Sequence, residues 1–447
     1  MPFDGPRCAG GAGRFSRETV SLPRRPMDMV ILLLLAAATA AAAPVAFPEL
    51  EPLEAAARLA AMPEPLPLEN LIAASLAFSG AEGERLERLS AELRTVMDSF
   101  SPGKEEMRST RQLGEEVLRF LHERFLSTYM ESQTRMDVLL ERGTYNCVSS
   151  AVLYLIVGRS AGLTMGAVRT SDHAFCTVWD GNTEIDVETT SVLGFDPGTK
   201  REFRDSFGRV TGYAYVPQNR AKDRQGIGEK DLLGLILVNR TMDLAGQGRL
   251  QDALRAAVSA RILSPSVEST ETLMRTLFSY CLWLGNRDEM DRGLDLLDAV
   301  ERRFGTSDAL IQQRRTLSNN RILSLLDAGD WPTADAAIRK ALEKGSIEEA
   351  QAREFRIYAV LKHAEKASQR EEFLSAANIV LEGIVGIGED PALVWNYENY
   401  LHHFFSRLYN AGRYAEARTA IEGGLRRFPH SSVFLHDQEL IGKALQP

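Results

Sequence analysis

One stretch constrains this chain more than any other. Residues 143–190 read GTYNCVSSAVLYLIVGRSAGL and then TMGAVRTSDHAFCTVWDGNTEIDVETT. A cysteine, Cys147, opens an apolar helix over residues 147–161, and Gly162 supplies the C-cap. His173 follows 26 residues later, on a strand expected over 171–179. Asp180-Gly181 marks a tight hairpin, and the return strand, 184–189, carries two acids, Asp186 and Glu188. A thiol at a helix N-terminus sits among unpaired N–H groups at the positive end of the dipole, which favours the thiolate. An imidazole can take its proton, and a carboxylate can orient the imidazole.

The hairpin chooses between the two acids. With Asp180-Gly181 as the loop of a type I′ turn, His173 lies opposite Glu188. Asp186 falls on the same face, one pair nearer the turn, because side chains alternate with period two. Glu188 is therefore the expected third member of a triad and Asp186 the reserve.

The segments YNCVSSAVLYLIVGRSAGL, DHAF and DVETT resemble the core of the transglutaminase-like superfamily, with its papain-like Cys-His-Asp/Glu set. The resemblance covers residues 110–220 and implies an α+β core, a Cys helix packed on an antiparallel sheet that bears His and an acid. It implies that Cys147 attacks an amide or ester carbonyl, His173 shuttles the proton and Glu188 holds the imidazolium. Water would resolve the acyl-enzyme in a protease or amidase, and an amine would do so in a transamidase. The Cys147 amide and Asn146 are the expected oxyanion support. The family's third member is usually Asp in a V-D-P-T-like setting; here residues 187–190 read VETT, and Glu has a longer arm.

The first 43 residues are not expected to belong to the fold. Arg24 and Arg25 precede a short apolar run from Met29 and an alanine-rich stretch to Ala43, the pattern of a secretory signal cut near Ala42 or Ala43. Residues 1–26 read as an over-called start, with Met27 or Met29 the true one. The run is short for a membrane span, which needs about 20 residues, so membrane attachment is expected only through an uncleaved signal. The mature chain is expected to be exported, periplasmic or extracellular. Cys147, Cys176 and Cys281 then remain, an odd number that makes no disulfide scaffold. Cys176 is expected to pack on the face opposite His173. No C-x-x-C or H-E-x-x-H occurs, so neither a metal nor another cofactor is expected. The net charge of −9, without a long basic run, gives no reason to expect a nucleic-acid partner.

Residues 44–67 are Pro- and Ala-rich and read as a linker holding one short helix. Residues 68–220 read as the transglutaminase-like domain with its N-terminal helices, and 210–216 as one further strand. His122 is expected to be structural. A polar stretch at 218–225 marks a boundary, and 228–447 reads as an all-α tetratricopeptide-like solenoid. Its signals are Gly248, Gly285, Gly329 and Gly412 with small residues at helix contacts such as Ala253, Ala334 and Ala417. The glycine spacings, 37, 44 and 83 residues, are uneven and all longer than the tetratricopeptide's about 34 residues. His402, His403, Trp395 and their aromatic neighbours are expected to pack between helices. Two functional classes follow. One is a thiol enzyme acting on a peptide or protein, with a protein partner on the repeats. The other is a non-enzymatic adaptor carrying a degenerate core.

Overall fold

Seven segments of helix and strand lead to the cysteine and fix where it sits. They are α1 (Glu54–Ala60), α2 (Leu68–Phe78), α3 (Gly83–Ser99), α4 (Thr110–Arg124), β1 (Thr128–Tyr129), α5 (Met136–Arg142) and β2 (Thr144–Tyr145). The structure, a computed structural model, describes residues 47–100 and 109–446; the expected signal segment lies outside the described residues. β1 and β2 pair in parallel, Tyr129 beside Tyr145, and so tie the approach to α5 to the residues just before Cys147.

The central helix, α6 (Cys147–Ser160), is buried at every position from Cys147 to Gly158. A helix apolar on all sides needs partners on all sides. Here α2, α4 and α5 pack on it, as does the sheet built next in the chain. That sheet comprises β3 (Met165–Arg169), β4 (Ala174–Asp180), β5 (Thr183–Val187) and, after α7 (Arg201–Thr211), β6 (Gln225–Ile227). Its order is β5-β4-β3-β6, and every pair is antiparallel. Ala174, Cys176, Val178, Ile185 and Val187 join the α6 core. Cys176 donates its S–H to the Ala151 carbonyl at 3.2 Å, on the face expected for a packing residue.

Two features of this region differ from the sequence expectation. The β4–β5 loop is Gly181-Asn182, not Asp180-Gly181: Asp180 pairs with Thr183 and Thr177 with Asp186. Gly181 alone of the two has a positive φ, 60°, the pattern of a type II′ loop rather than I′. The register is displaced by two residues. A two-residue shift leaves every side chain on its face, whereas one residue would have reversed them. The second difference is the expected strand at 210–216. Phe203 and Phe207, four apart and both buried, make residues 201–211 an amphipathic helix. Gly212 (φ 78°) then ends it in the left-handed conformation, so the alternation read from Val210 straddles a helix end. The sheet takes 225–227 as its fourth strand instead.

The remaining helices form hairpins in a solenoid-like array: α8 (Glu229–Gly246) with α9 (Leu250–Leu263), α10 (Val267–Gly285) with α11 (Met290–Phe304), and α12 (Asp308–Ala328) with α13 (Trp331–Glu343). Next come α14 (Glu349–Gln369) with α15 (Phe373–Ile387), α16 (Pro391–Asn410) with α17 (Tyr414–Arg427), and a last helix α18 (Ser432–Ala444). Each hairpin turn holds one left-handed residue: Gly248, Asp288, Gly329, Glu371 and Gly412. These stand 40, 41, 42 and 41 residues apart, so the repeat is regular. A search on glycine sees it as uneven because Asp288 and Glu371 occupy two of the turns. The long unit comes from its first helix, of 18 to 21 residues.

The expected boundary near 220 is not a break. Leu232, Leu233, Ile236 and Leu237 of α8 lie in the same core as α6, and Glu229 meets Arg159 of α6 at 2.7 Å. Phe47 onward forms one compact unit. The expected linker is packed as well. Phe47 and Leu50 are buried among residues of α9 to α12, Leu53 N–H donates to Ser259 Oγ at 2.8 Å, and Arg303 donates to the Leu50 carbonyl. In the last hairpins, His402 bonds Asp437 at 2.9 Å and His403 stacks on Phe373. Trp395, expected to pack, is 63% exposed, because it points off the buried stripe of Leu393, Tyr397, Tyr400 and Leu401. No helix among the described residues is long and apolar enough to cross a membrane.

Candidate active site

Cys147 is the first residue of α6 because Asn146 caps that helix. Asn146 Oδ1 accepts from the amides of Val148 and Ser149, both at 3.1 Å, and Ser149 Oγ accepts from the Asn146 amide at 3.0 Å. This reciprocal box satisfies first-turn donors that have no intrahelical acceptor. The other end of the Asn146 amide is held too: Nδ2 donates to the Glu131 carbonyl at 2.9 Å and to Thr134 Oγ1 at 2.7 Å. Both of its hydrogens are thus committed inside the protein. The expectation that Asn146 donates to an oxyanion is corrected on this ground: its side chain sets the position of Cys147 instead. Asn239 of α8 also donates to Thr134 Oγ1, at 2.8 Å.

His173 stands just before β4, at the end of the β3–β4 turn rather than within the strand. Thr170 N–H donates to its carbonyl at 2.8 Å, and Thr170 Oγ1 accepts from its amide at 3.1 Å. Glu188 stands just after β5. Its Oε2 lies 2.7 Å from His173 Nε2, with both side chains almost fully buried. Asp186 makes no such contact. It binds Arg224 through two bonds of 2.8 Å and also accepts from Tyr215 and Gln218. Glu188 rather than Asp186 therefore faces the imidazole, as expected, although the turn register behind that expectation is displaced. Both residues lie beyond the ends of their strands, where the local loops decide the approach.

Those loops hold Glu188 tightly. Thr190 donates to Oε1 from its hydroxyl at 2.8 Å, Tyr145 donates to the Thr190 carbonyl, and His122 Nε2–H donates to the Thr189 carbonyl at 3.1 Å. His122 is thus structural, and burial lowers its pKa. Glu188 N–H donates to the Gly194 carbonyl at 2.8 Å. A Cβ on Gly194 would stand 1.9 Å from the Glu188 carbonyl oxygen. Gly194→Ala is therefore expected to destabilise the protein by about 1–3 kcal/mol through overpacking, read by thermal or denaturant unfolding, and to move Glu188 off His173.

Phe207 and Tyr213 cover the imidazole, with centroids 5.6 and 5.3 Å away. Burial by itself pushes the His173 pKa down. The charge and hydrogen bond of Glu188, together with the nearby Cys147, outweigh it, so the pKa is raised. Nδ1 is buried and has no partner in hydrogen-bond geometry among the described residues, yet Cys147 is near enough to interact with the ring. Cys147 and His173 line one cavity of about 570 Å³, with walls from Met130, Glu131, Ser132 and Thr134, the 169–174 turn, Tyr213, and Leu235, Asn239, Met242 and Asp243 of α8. The helical array thus supplies a wall of the site. Sequence reasoning that ended the core near 220 missed that wall. The signal was present in LLGLILV (232–238), too apolar for a helix with a single buried face. No group of metal-ligating side chains occurs among the described residues.

Comparisons with known proteins add little to this geometry. No family model matches the chain, and no curated protein matches it. Among solved structures, one match is a crystal structure of menin, reported as revealing the binding site for the Mixed Lineage Leukemia (MLL) protein. It is 12% identical, with 87% of this chain and 94% of that chain covered and a TM-score of 0.32. A likeness at that score carries no argument about this chain.

Proposed function

We propose that this chain is a thiol-dependent acyltransferase or hydrolase, exported, with a transglutaminase-like core and tetratricopeptide-like repeats. The observation that carries the reading is the buried Glu188–His173 contact of 2.7 Å in a cavity that Cys147 shares. A carboxylate and an imidazole buried together carry a desolvation penalty that packing alone gives no reason to meet. Beside a cysteine at a helix N-terminus they form a nucleophile, a base and an orienting group. In this reading His173 receives the thiol proton on the side of Nδ1, and Glu188 fixes the ring through Nε2. Sγ bonds to the carbonyl carbon of an amide or ester, and the leaving group departs with the proton from His173. Water or an amine then releases the acyl group. A peptide or protein is the substrate class, and the repeats hold a protein partner.

The test is acylation of the full chain by p-nitrophenyl acetate, with the acetyl group mapped to its residue. The expected result is a burst equal to the enzyme concentration, acetyl on Cys147, and no burst in Cys147→Ser or His173→Ala. Faster turnover on adding a soluble primary amine assigns transamidation, and turnover independent of it assigns hydrolysis. A folded wild-type chain that is never acetylated on Cys147 would favour the non-enzymatic adaptor.

A further inference from the structure

The tetrahedral intermediate of the proposed reaction needs a second donor for its oxyanion, and Asn146, with both amide hydrogens committed, is not it. A different donor lies next to the site, unpaired among the described residues. Tyr129 pairs with Tyr145 in the parallel β1–β2 ladder, and their rings meet edge to face at 5.9 Å. Tyr145 stands two residues before Cys147, and Met130 N–H donates to its carbonyl at 2.8 Å. The Tyr129 ring is therefore held beside the start of α6. Its hydroxyl is buried and makes no hydrogen bond among the described residues. A buried polar group left unpaired costs about 1–3 kcal/mol, so such an orphan at a functional site calls for a reason.

The surroundings of the hydroxyl supply one. After burial, the groups that act on it are Cys147, Tyr213, Glu131 and Glu188, the first three of which line the cavity. Together they push its pKa up, so at neutral pH it is a neutral phenol with one proton to donate. The neighbouring phenol, Tyr213, is already taken, since its hydroxyl donates to Glu131 at 2.5 Å. We infer that the Tyr129 hydroxyl is the side-chain oxyanion donor of the Cys147 site, unpaired at rest and paired only when a carbonyl oxygen turns tetrahedral. The assignment rests on the acyl-transfer reading above. In the step it serves, Sγ bonds to the carbonyl carbon and the π pair moves to oxygen, which accepts from the Tyr129 O–H. The pair then returns, the bond to the leaving group breaks, and no proton leaves the phenol. A donor that has no ground-state partner favours the transition state over the resting state.

Tyr129→Phe removes only this hydroxyl, and two reagents separate its roles. Acylation by p-nitrophenyl acetate passes through an oxyanion, whereas alkylation by iodoacetamide is a displacement without one. The expected result is burst acylation slowed about 10²-fold, alkylation of Cys147 at the wild-type rate, and a melting temperature at or above wild type, since an unpaired hydroxyl has been deleted. Acylation of Tyr129→Phe at the wild-type rate overturns the assignment. Loss of both reactions in parallel also overturns it, and places the hydroxyl on the thiol instead. If the wild-type chain alkylates at Cys147 but is never acetylated, the acyl-transfer reading itself falls and the assignment falls with it.

Discussion

Glu188→Ala is expected to destabilise the protein by about 3–5 kcal/mol, the range for breaking a buried ion pair from one side. The value should come from denaturant unfolding at neutral pH. The reason is local. The His173 side chain is 3% exposed and its Glu188 partner is fully buried, so the buried imidazole would lose the carboxylate bonded to it. Burial, the largest single influence on His173, then acts unopposed by Glu188 and drives the ring toward its neutral form. Glu188→Gln keeps the volume and loses the charge. It is expected to lower Cys147 acylation by on the order of 10³–10⁴-fold, as when an orienting carboxylate of a triad is neutralised. A Glu188→Gln variant with wild-type acylation would leave the carboxylate a purely structural role.

Asp186→Ala is expected to be equally destabilising, by about 3–5 kcal/mol, and yet to leave Cys147 reactive. Asp186 is 3% exposed and neutralises Arg224, whose side chain is 9% exposed and lies over the Phe175 ring. Removing it leaves a buried guanidinium, the Tyr215 hydroxyl and the Gln218 amide short of acceptors. None of these touches His173 Nε2. The two acids stand two residues apart, Asp186 in the strand and Glu188 just beyond it, and the prediction separates them: both support the fold, and only Glu188 carries the chemistry. Unfolding measurements and iodoacetamide rates on the two variants check it. Equal loss of Cys147 reactivity in both would erase that distinction.

The pair also shows what the sequence makes legible. Period-two alternation, which survives a two-residue error in the turn, places Asp186 and Glu188 on one face; the choice of Glu188 is made by the loops beyond the strand ends, whose course the alternation does not show. The turn type does not follow, because Asp-Gly and Gly-Asn both make good two-residue loops and the chain offers both at 180–182. The helix at 147–160 is legible because its apolar run is long and closed by Gly162. The wall that α8 adds to the cavity is hidden, because its partners α2 and α6 lie far back in the chain. The packed segment at 47–67 is hidden for the opposite reason: proline and alanine suggest a linker, while its hold on α9 to α12 comes from a few residues such as Phe47 and Leu50. The regular repeat of 40 to 42 residues is masked where Asp288 and Glu371 adopt the left-handed turn that glycine usually fills.

The central claim is that Cys147 and His173 act as a pair, and peptide-mapped alkylation by iodoacetamide near pH 6 tests it most directly. Cys176 and Cys281 are fully buried, and burial pushes their thiols up, to about 12 for Cys281, so both should label slowly whatever Cys147 does. The decisive comparison is Cys147 in the wild type against His173→Ala. The account predicts that Cys147 labels well before the other two cysteines, faster than a free thiol at that pH, and that His173→Ala slows it strongly. Labelling of Cys147 no faster than a free thiol, or at the same rate without His173, would contradict it.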